Sequence, residues 1–260
     1  MKTSKVGEIK YCQFESFQKE GIVHGIFMRH GGCSPAPWKS LNLSTTAGDS
    51  RENVIENRRR VLSSLHLNQE NYFDVWQIHS SEIIITENNK KSDQAYIKAD
   101  AIITSSSGVA LLMRFADCVP IMLFDPRKKV IALVHAGWLG TLEMIALKSV
   151  QKMESIFGSY PQDVIAGIGP SICVKHYPVG KNVIDKLISV FPDNWMDFVK
   201  KYDKKYHLDL WVLNKYILEQ AGINNIEISE ICTACDKKNW FSHRGEEGNT
   251  GRFAAIISML

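Results

Sequence analysis

The stretch Phe115-Ala-Asp117-Cys118-Val-Pro120-Ile-Met-Leu-Phe124-Asp125-Pro-Arg-Lys-Lys129-Val130-Ile-Ala-Leu-Val134-His135-Ala-Gly137-Trp138-Leu-Gly140-Thr141 decides how the 260-residue chain is read. Two apolar runs, Ile121–Phe124 and Val130–Val134, flank a turn at 125–129 and predict paired strands. The first strand follows a Cys, and the second delivers a His into a glycine-rich bend. Upstream, Gln77-Ile78-His79 also ends an apolar segment on a metal-capable side chain. One Cys and two His at strand ends can form a three-donor site with an open fourth position, the pattern of catalytic zinc. Each residue also has a plainer reading: His79 as a hydrogen-bonded strand end, Cys118 as a small buried hydrophobe or a nucleophile, and Gly137 as a bend made for packing.

The remaining signals describe a mixed protein with many strands. Strands are predicted within 9–30 and at Phe73–Ile78, Ile83–Thr86, Ala101–Thr104, Val109–Met113, Val164–Ile168, Ile226–Ile231 and Phe253–Ile257. Helices are expected from Asp49 or Ser50 to about His66, from after Thr141 to Phe157 with Gly158 as the stop, and over Asn182–Phe191 and Asp209–Ala221. No repeat or linker divides the chain, so residues 1–260 read as one domain. A net charge of +3 supplies no field for nucleic acid, and Arg58-Arg59-Arg60 falls in a helical pattern that reads as a solvated face. No apolar run reaches the ~20 residues of a membrane span. Six scattered cysteines without a disulfide framework, and no signal-peptide pattern, predict a cytoplasmic protein.

Around the central stretch, Asp117 can orient a His ligand or carry a proton if Val119-Pro120 bends the chain, or it can cap backbone N–H groups. The bend at Gly137, Gly140 and Thr141 can turn backbone donors toward an anion. Arg29 beside Gly31-Gly32 and Arg244 in Ser242-His243-Arg244 can bring cations to a substrate. Trp38, Trp138 and Phe241 are candidate stacking faces or core aromatics. Cys232-Thr-Ala-Cys235 lacks a second pair at zinc-finger distance and reads as structural or incidental thiols.

These segments together resemble one family. His24-Gly25, Arg29-His-Gly31-Gly32, Ser40-Leu-Asn-Leu43, Gly48-Asp49, Asn57-Arg58 and Gln77-Ile-His79 match it in order. Ala99-Asp100-Ala101, Ala116-Asp117-Cys118, Asp125-Pro126, His135-Ala-Gly-Trp138, Gly140-Thr141, Gly167-Ile-Gly169-Pro170 and Thr250-Gly251-Arg252 continue the match. The chain is similar to the laccase-domain (YfiH-type) proteins, once called multicopper polyphenol oxidases and now regarded as purine nucleoside-processing enzymes. The resemblance implies an α+β single domain with two packed mixed β-layers flanked by helices (α/β/β/α). It also implies zinc on His79, Cys118 and His135, with those three and Asp117 as catalytic residues. The implied activities are phosphorolysis of adenosine, inosine and methylthioadenosine, plus adenosine deamination. Its partners would be purine nucleoside and phosphate, in a monomer or small homo-oligomer. Two positions depart: Leu139 stands where the family usually carries an arginine, and Gly245 where it often carries a second one; if those arginines bind phosphate, phosphorolysis is less well supported here than metal binding. The competing readings are a copper polyphenol oxidase, a hydrolase using Cys118, and a non-catalytic binding module. Eight histidines without a His-x-His pair are few for a multicopper cluster.

Overall fold

Alternation within the central hairpin builds the core. In the computed structural model, which describes residues 1–18, 21–88 and 96–260, β8 (Val119–Asp125) and β9 (Val130–Ala136) pair in antiparallel register, with Ile121 opposite Val134 and Phe124 opposite Ile131. Every residue of both strands is buried, because each face of the hairpin meets a different partner. Met122, Phe124, Ile131 and Leu133 pack into one hydrophobic cluster, and Ile121, Leu123, Ala132 and Val134 into another. Asp125 closes the turn: its Oδ1 accepts the N–H groups of Arg127 and Lys128 at 2.8 and 3.0 Å.

The hairpin is the centre of a six-stranded sheet. Its order is β13 (Asn225–Ile228), β10 (Ile165–Ile168), β8, β9, β6 (Ala101–Thr104) and β5 (Ile83–Ile85). The second six-stranded sheet runs β1 (Lys2–Val6), β2 (Ile9–Gln13), β3 (Ile22–Phe27), β14 (Phe253–Met259), β7 (Ala110–Phe115) and β4 (Tyr72–Phe73). Phe253, Ala255 and Ile257 of β14 face the hairpin across the space between the sheets, while Ala254 and Ile256 face the other way. That outer face of the second sheet is covered by α1 (Arg51–Ser64) through Val61 and Leu62. The outer face of the first sheet is covered by α3 (Ile145–Phe157), α4 (Lys181–Val190) and α5 (Leu210–Gln220). The result is helix, sheet, sheet, helix, the expected α/β/β/α arrangement.

Several elements differ from the sequence reading. The expected strand at Phe73–Ile78 stops at Phe73, and the chain then pairs only at a single bridge, Trp76 with Lys98. The helix expected after Thr141 begins earlier, as α2 (Trp138–Leu142), breaks at Met144 with φ +63°, and resumes as α3. Exposed β1 and the hairpin β11 (Val199–Tyr202) and β12 (Lys205–Leu208) carry mostly polar residues and gave no apolar signal. No described helix is long and apolar enough to cross a membrane.

Leu133 is fully buried between the sheets, whereas Ile156 lies exposed on α3. Leu133→Ala is expected to cost about 2–5 kcal/mol in urea unfolding, and Ile156→Ala no more than about 0.5 kcal/mol. Equal effects would contradict the sandwich core.

Candidate metal centre and cavity

One edge of the hairpin's sheet carries all three predicted ligands. Cys118 immediately precedes β8, and His135 lies near the end of antiparallel β9, so both sit at the open end of one hairpin. β6 pairs with β9 and β5 with β6, which brings the segments before β6 and β5, containing Asp100 and His79, to the same edge. Ligand atoms of His79, Cys118 and His135 lie within 4.8 Å of one another. The two imidazoles meet edge to face at 5.0 Å between ring centroids. Gly137 packs closely beside them: a Cβ there would sit 3.1 Å from the His79 ring and 3.2 Å from Cys118 Sγ, and would push on both ligands.

Asp100 holds both histidines. Its Oδ1 lies 2.8 Å from His135 Nδ1 and accepts the His79 N–H at 3.1 Å. Oδ2 accepts the N–H groups of Ile78 and Ser80 and the Ser80 hydroxyl. These donors hold His79 at φ +59°, a left-handed conformation that costs a non-glycine residue about 1 kcal/mol or more. With Nδ1 engaged, His135 presents Nε2 as its free ring nitrogen.

The electrostatics of the trio favour a cation. Burial pushes the Cys118 thiol up, but the charge of His135 and hydrogen bonds from both imidazoles override it and bring it down to about 6. Burial pushes His135 down, yet Cys118 and Asp100 override that and raise it to about 9. The group therefore holds a thiolate facing an imidazole that retains its proton in the negative field of two neighbours. A metal ion answers the same field, and a thiolate with two imidazoles fits zinc as well as copper.

The trio opens into a cavity of about 810 Å³. Five arginines line it: Arg51, Arg58, Arg114, Arg244 and Arg252. Arg58 stacks 5.0 Å over the Tyr72 ring and bonds its hydroxyl, while its buried Nε has no hydrogen-bond partner among the described residues. Arg114 pairs with buried Asp74 at 2.9 Å and donates to the Val75 carbonyl. Arg244 lies 5.2 Å over the Tyr177 ring, and burial pulls the Arg252 guanidinium below its ordinary value against the opposing charges of Cys118 and Asp117. Exposed Trp76 and Tyr96 meet edge to face, with centroids 6.5 Å apart, at the cavity wall.

The other predicted site residues take varied positions. Asp117, at φ +84°, accepts the hydroxyls of Thr233 and Ser242 at 2.7 Å and the Arg244 N–H at 2.6 Å. Three donors occupying one carboxylate is the geometry of a group that positions its neighbours. Arg29 lies outside the cavity, tied to Glu246 at 2.9 Å and to the Lys39 and Lys237 carbonyls. Gly140 packs against the Ser80 carbonyl, Thr141 bonds Asn214, and neither lines the cavity. Of the candidate stacking residues only Trp138 reaches the cavity; Trp38 donates to the Ala47 carbonyl, and Phe241 is buried beneath Arg29. Leu139 and Gly245 also lie outside the lining. Sequence reading missed Arg51, Arg58, Arg114 and Arg252; Asn57-Arg58 and Thr250-Gly251-Arg252, among the matching segments, marked two of them.

The double-sheet fold is shared with proteins of known structure. Residues 23–260 match the family model described as multi-copper polyphenol oxidoreductase laccase, and the chain belongs to that family. The purine nucleoside phosphorylase YlmD of Geobacillus stearothermophilus is 35% identical over 246 residues, covering 91% of this chain and 90% of the relative. A purine nucleoside phosphorylase of Deinococcus radiodurans is 32% identical over 92% of this chain and 89% of its own length. The crystal structure of the Geobacillus YlmD superposes with a TM-score of 0.90 at 33% identity, covering 98% of this chain and 97% of that one.

In metal-stripped protein, Cys118 is expected to be alkylated with a pH midpoint near 6, its thiolate present above that pH and lost below it. Peptide mapping isolates this thiol from the other five cysteines. Asp100→Asn withdraws support from the His135 cation, so the midpoint should rise. A wild-type midpoint near the ordinary thiol value of about 8.5 would refute the charge arrangement.

Proposed function

We propose that this chain is a zinc-dependent purine nucleoside phosphorylase acting on adenosine, inosine and methylthioadenosine, with adenosine deamination as a second activity of the same site. The observation that carries the reading is the His79, Cys118 and His135 trio opening into a cavity walled by five arginines. Two relatives aligned over nine-tenths of the chain bear the purine nucleoside phosphorylase name.

Phosphorolysis needs an anion site beside a site for a planar base. Phosphate carries about two negative charges at neutral pH, and guanidinium groups hold it through paired hydrogen bonds. Arg252 and Arg244 suit this role beside the trio, and the orphaned Nε of Arg58 is a further buried donor on the wall. Trp76 and Tyr96 offer faces for a purine ring. A phosphate oxygen then forms a bond to the anomeric carbon while the C–N bond breaks and the purine leaves with its electron pair. Asp117 keeps Arg244 and the 233–244 loop in place, and Asp100 keeps both imidazoles aimed. A zinc ion on the trio would supply Lewis acidity and lower the pKa of a coordinated water. The small-molecule substrates, the free thiols of all six cysteines and the trio's thiolate suit a reducing cytoplasm.

The copper oxidase reading has less support. A blue-copper centre adds a weak axial ligand, usually Met, to a thiolate and two imidazoles. Among the described residues no methionine lines this cavity, and Gln77, whose amide bonds the Arg114 backbone, is the lining side chain of another axial-ligand type.

Purified protein should release ribose 1-phosphate from inosine only when phosphate is present, and His79→Ala and Cys118→Ala should each lower kcat/KM by at least about a hundredfold, while Arg252→Ala chiefly raises the KM for phosphate. Cleavage of inosine to free base without phosphate, or full activity in the His79 and Cys118 variants, would overturn the assignment. Oxidation of a phenol by copper-loaded protein at a comparable rate would favour the older family label.

A further inference from the structure

The C-x-x-C segment has a partner that sequence spacing conceals. β10 ends at Ile168, and a parallel bridge then pairs Ser171 with Cys232. The Ser171 N–H donates to the Ile231 carbonyl, and the Thr233 N–H to the Ser171 carbonyl, both at 3.1 Å. This bridge lays Cys173-Val-Lys-His176 against Cys232-Thr-Ala-Cys235, so a C-x-x-H turn meets a C-x-x-C turn. The ligand atoms of Cys173, His176, Cys232 and Cys235 all lie within 4.8 Å of one another.

Their spacing matches a coordination tetrahedron. With metal–sulfur bonds of about 2.3 Å and a metal–nitrogen bond of about 2.0 Å, sulfur and nitrogen stand about 3.5 Å apart at tetrahedral angles. His176 Nδ1 lies 3.5, 3.8 and 3.4 Å from the sulfurs of Cys173, Cys232 and Cys235. The Cys173 N–H also points at Cys232 Sγ, 3.3 Å away, as a backbone donor does toward a metal-bound thiolate. None of the three cysteines is in a disulfide.

We propose that Cys173, His176, Cys232 and Cys235 bind a second zinc-class divalent cation, in a closed structural site separate from the His79, Cys118 and His135 trio. Four protein donors fill a tetrahedron and leave no position for substrate. The ion would instead brace the cavity wall. Tyr177 follows His176 and sits beneath the Arg244 guanidinium. Thr233 lies inside the C-x-x-C turn and donates its hydroxyl to Asp117. The ion would thereby clamp the turn after β10 to the loop that supplies Asp117's partners.

The full chain is tested in a His79→Ala/His135→Ala background, where this cluster is the remaining group of metal-ligating residues among those described. That protein should retain about one equivalent of zinc. After exchange with cobalt(II) it should show the intense thiolate-to-metal charge-transfer bands of a tetrahedral multi-thiolate site. Adding Cys235→Ser, at the most exposed of the four ligands, should weaken zinc binding by more than about a hundredfold, beyond the effect of losing an outer-shell partner. X-ray absorption on zinc-loaded wild type gives a readout without mutation: the two sites together predict an average of about two sulfurs per zinc, and the trio alone about one. An average near one, a metal-free background variant, or a disulfide among these cysteines in freshly purified protein would overturn the proposal.

Discussion

The Asp100 carboxylate is the constraint on which the candidate active centre depends. Its side chain is fully buried, and its cost of desolvation is offset by five contacts: three successive backbone N–H groups, the Ser80 hydroxyl and His135 Nδ1. Burial alone would push its carboxyl up, but His135 and Ser80 hold it below the ordinary carboxylate range. Its own backbone carbonyl accepts the His135 N–H at 2.7 Å, so residue 100 fixes the position as well as the ring orientation of that histidine. Through the 78–80 backbone it also stabilises the left-handed turn that brings His79 to the cavity. One residue just before β6 thus aligns two ligands that are far apart in sequence.

A second carboxylate does comparable work on the other side. Asp117 precedes Cys118 and gathers Thr233, Ser242 and the Arg244 backbone. Both carboxylates are satisfied by hydrogen bonds, and Asp100 joins Cys118 as the negative groups that face His135. Against the opposing effect of burial, their charges raise His135, and the imidazoles in turn lower the thiol. The glycine at 137 fits the same site, since a side chain there would fill the space between His79 and Cys118.

The parts of the molecule that were legible in the sequence are those where local pattern and tertiary role coincide. The β8–β9 hairpin is continuously apolar because both faces are covered, and its ends necessarily place Cys118 and His135 together. The strand forecast at Phe73–Ile78 failed because His79 needs a turn there, and hydrogen bonds to a carboxylate in another segment outweigh the local β pattern. The arginine wall was hidden for a different reason. Successive residues on a helix point about 100° apart, so the Arg58-Arg59-Arg60 run cannot all be solvated. Arg59 and Arg60 pair with Glu56, and Arg58 turns inward to Tyr72 and the cavity. Arg29 illustrates the converse: a cation beside glycines was drawn into a structural pair with Glu246.

The two metal-competent clusters use the same donor chemistry for different ends, and the fold explains the difference. The trio stands on strand ends, where sheet pairing and Asp100 already fix the donors, so a fourth position can stay open to the cavity. The Cys173, His176, Cys232 and Cys235 cluster lies instead where the chain is least regular. From Ser229 to Gly251 the backbone contains only turns and a single bridge, yet it carries Arg244 and both hydroxyls that hold Asp117. Fully buried Trp240 and Phe241 anchor the middle of this loop in the inter-sheet core, whereas its 232–235 root has no ladder of strand hydrogen bonds. The proposed four-donor ion would supply the missing restraint at its root, while Glu246, accepting from Arg29, Ser242 and Thr250, restrains its far end. The placement of Arg244 would then depend on ionic and coordinate bonds where the sheets do not reach, while Arg51, Arg58 and Arg114 are set by α1 and β7.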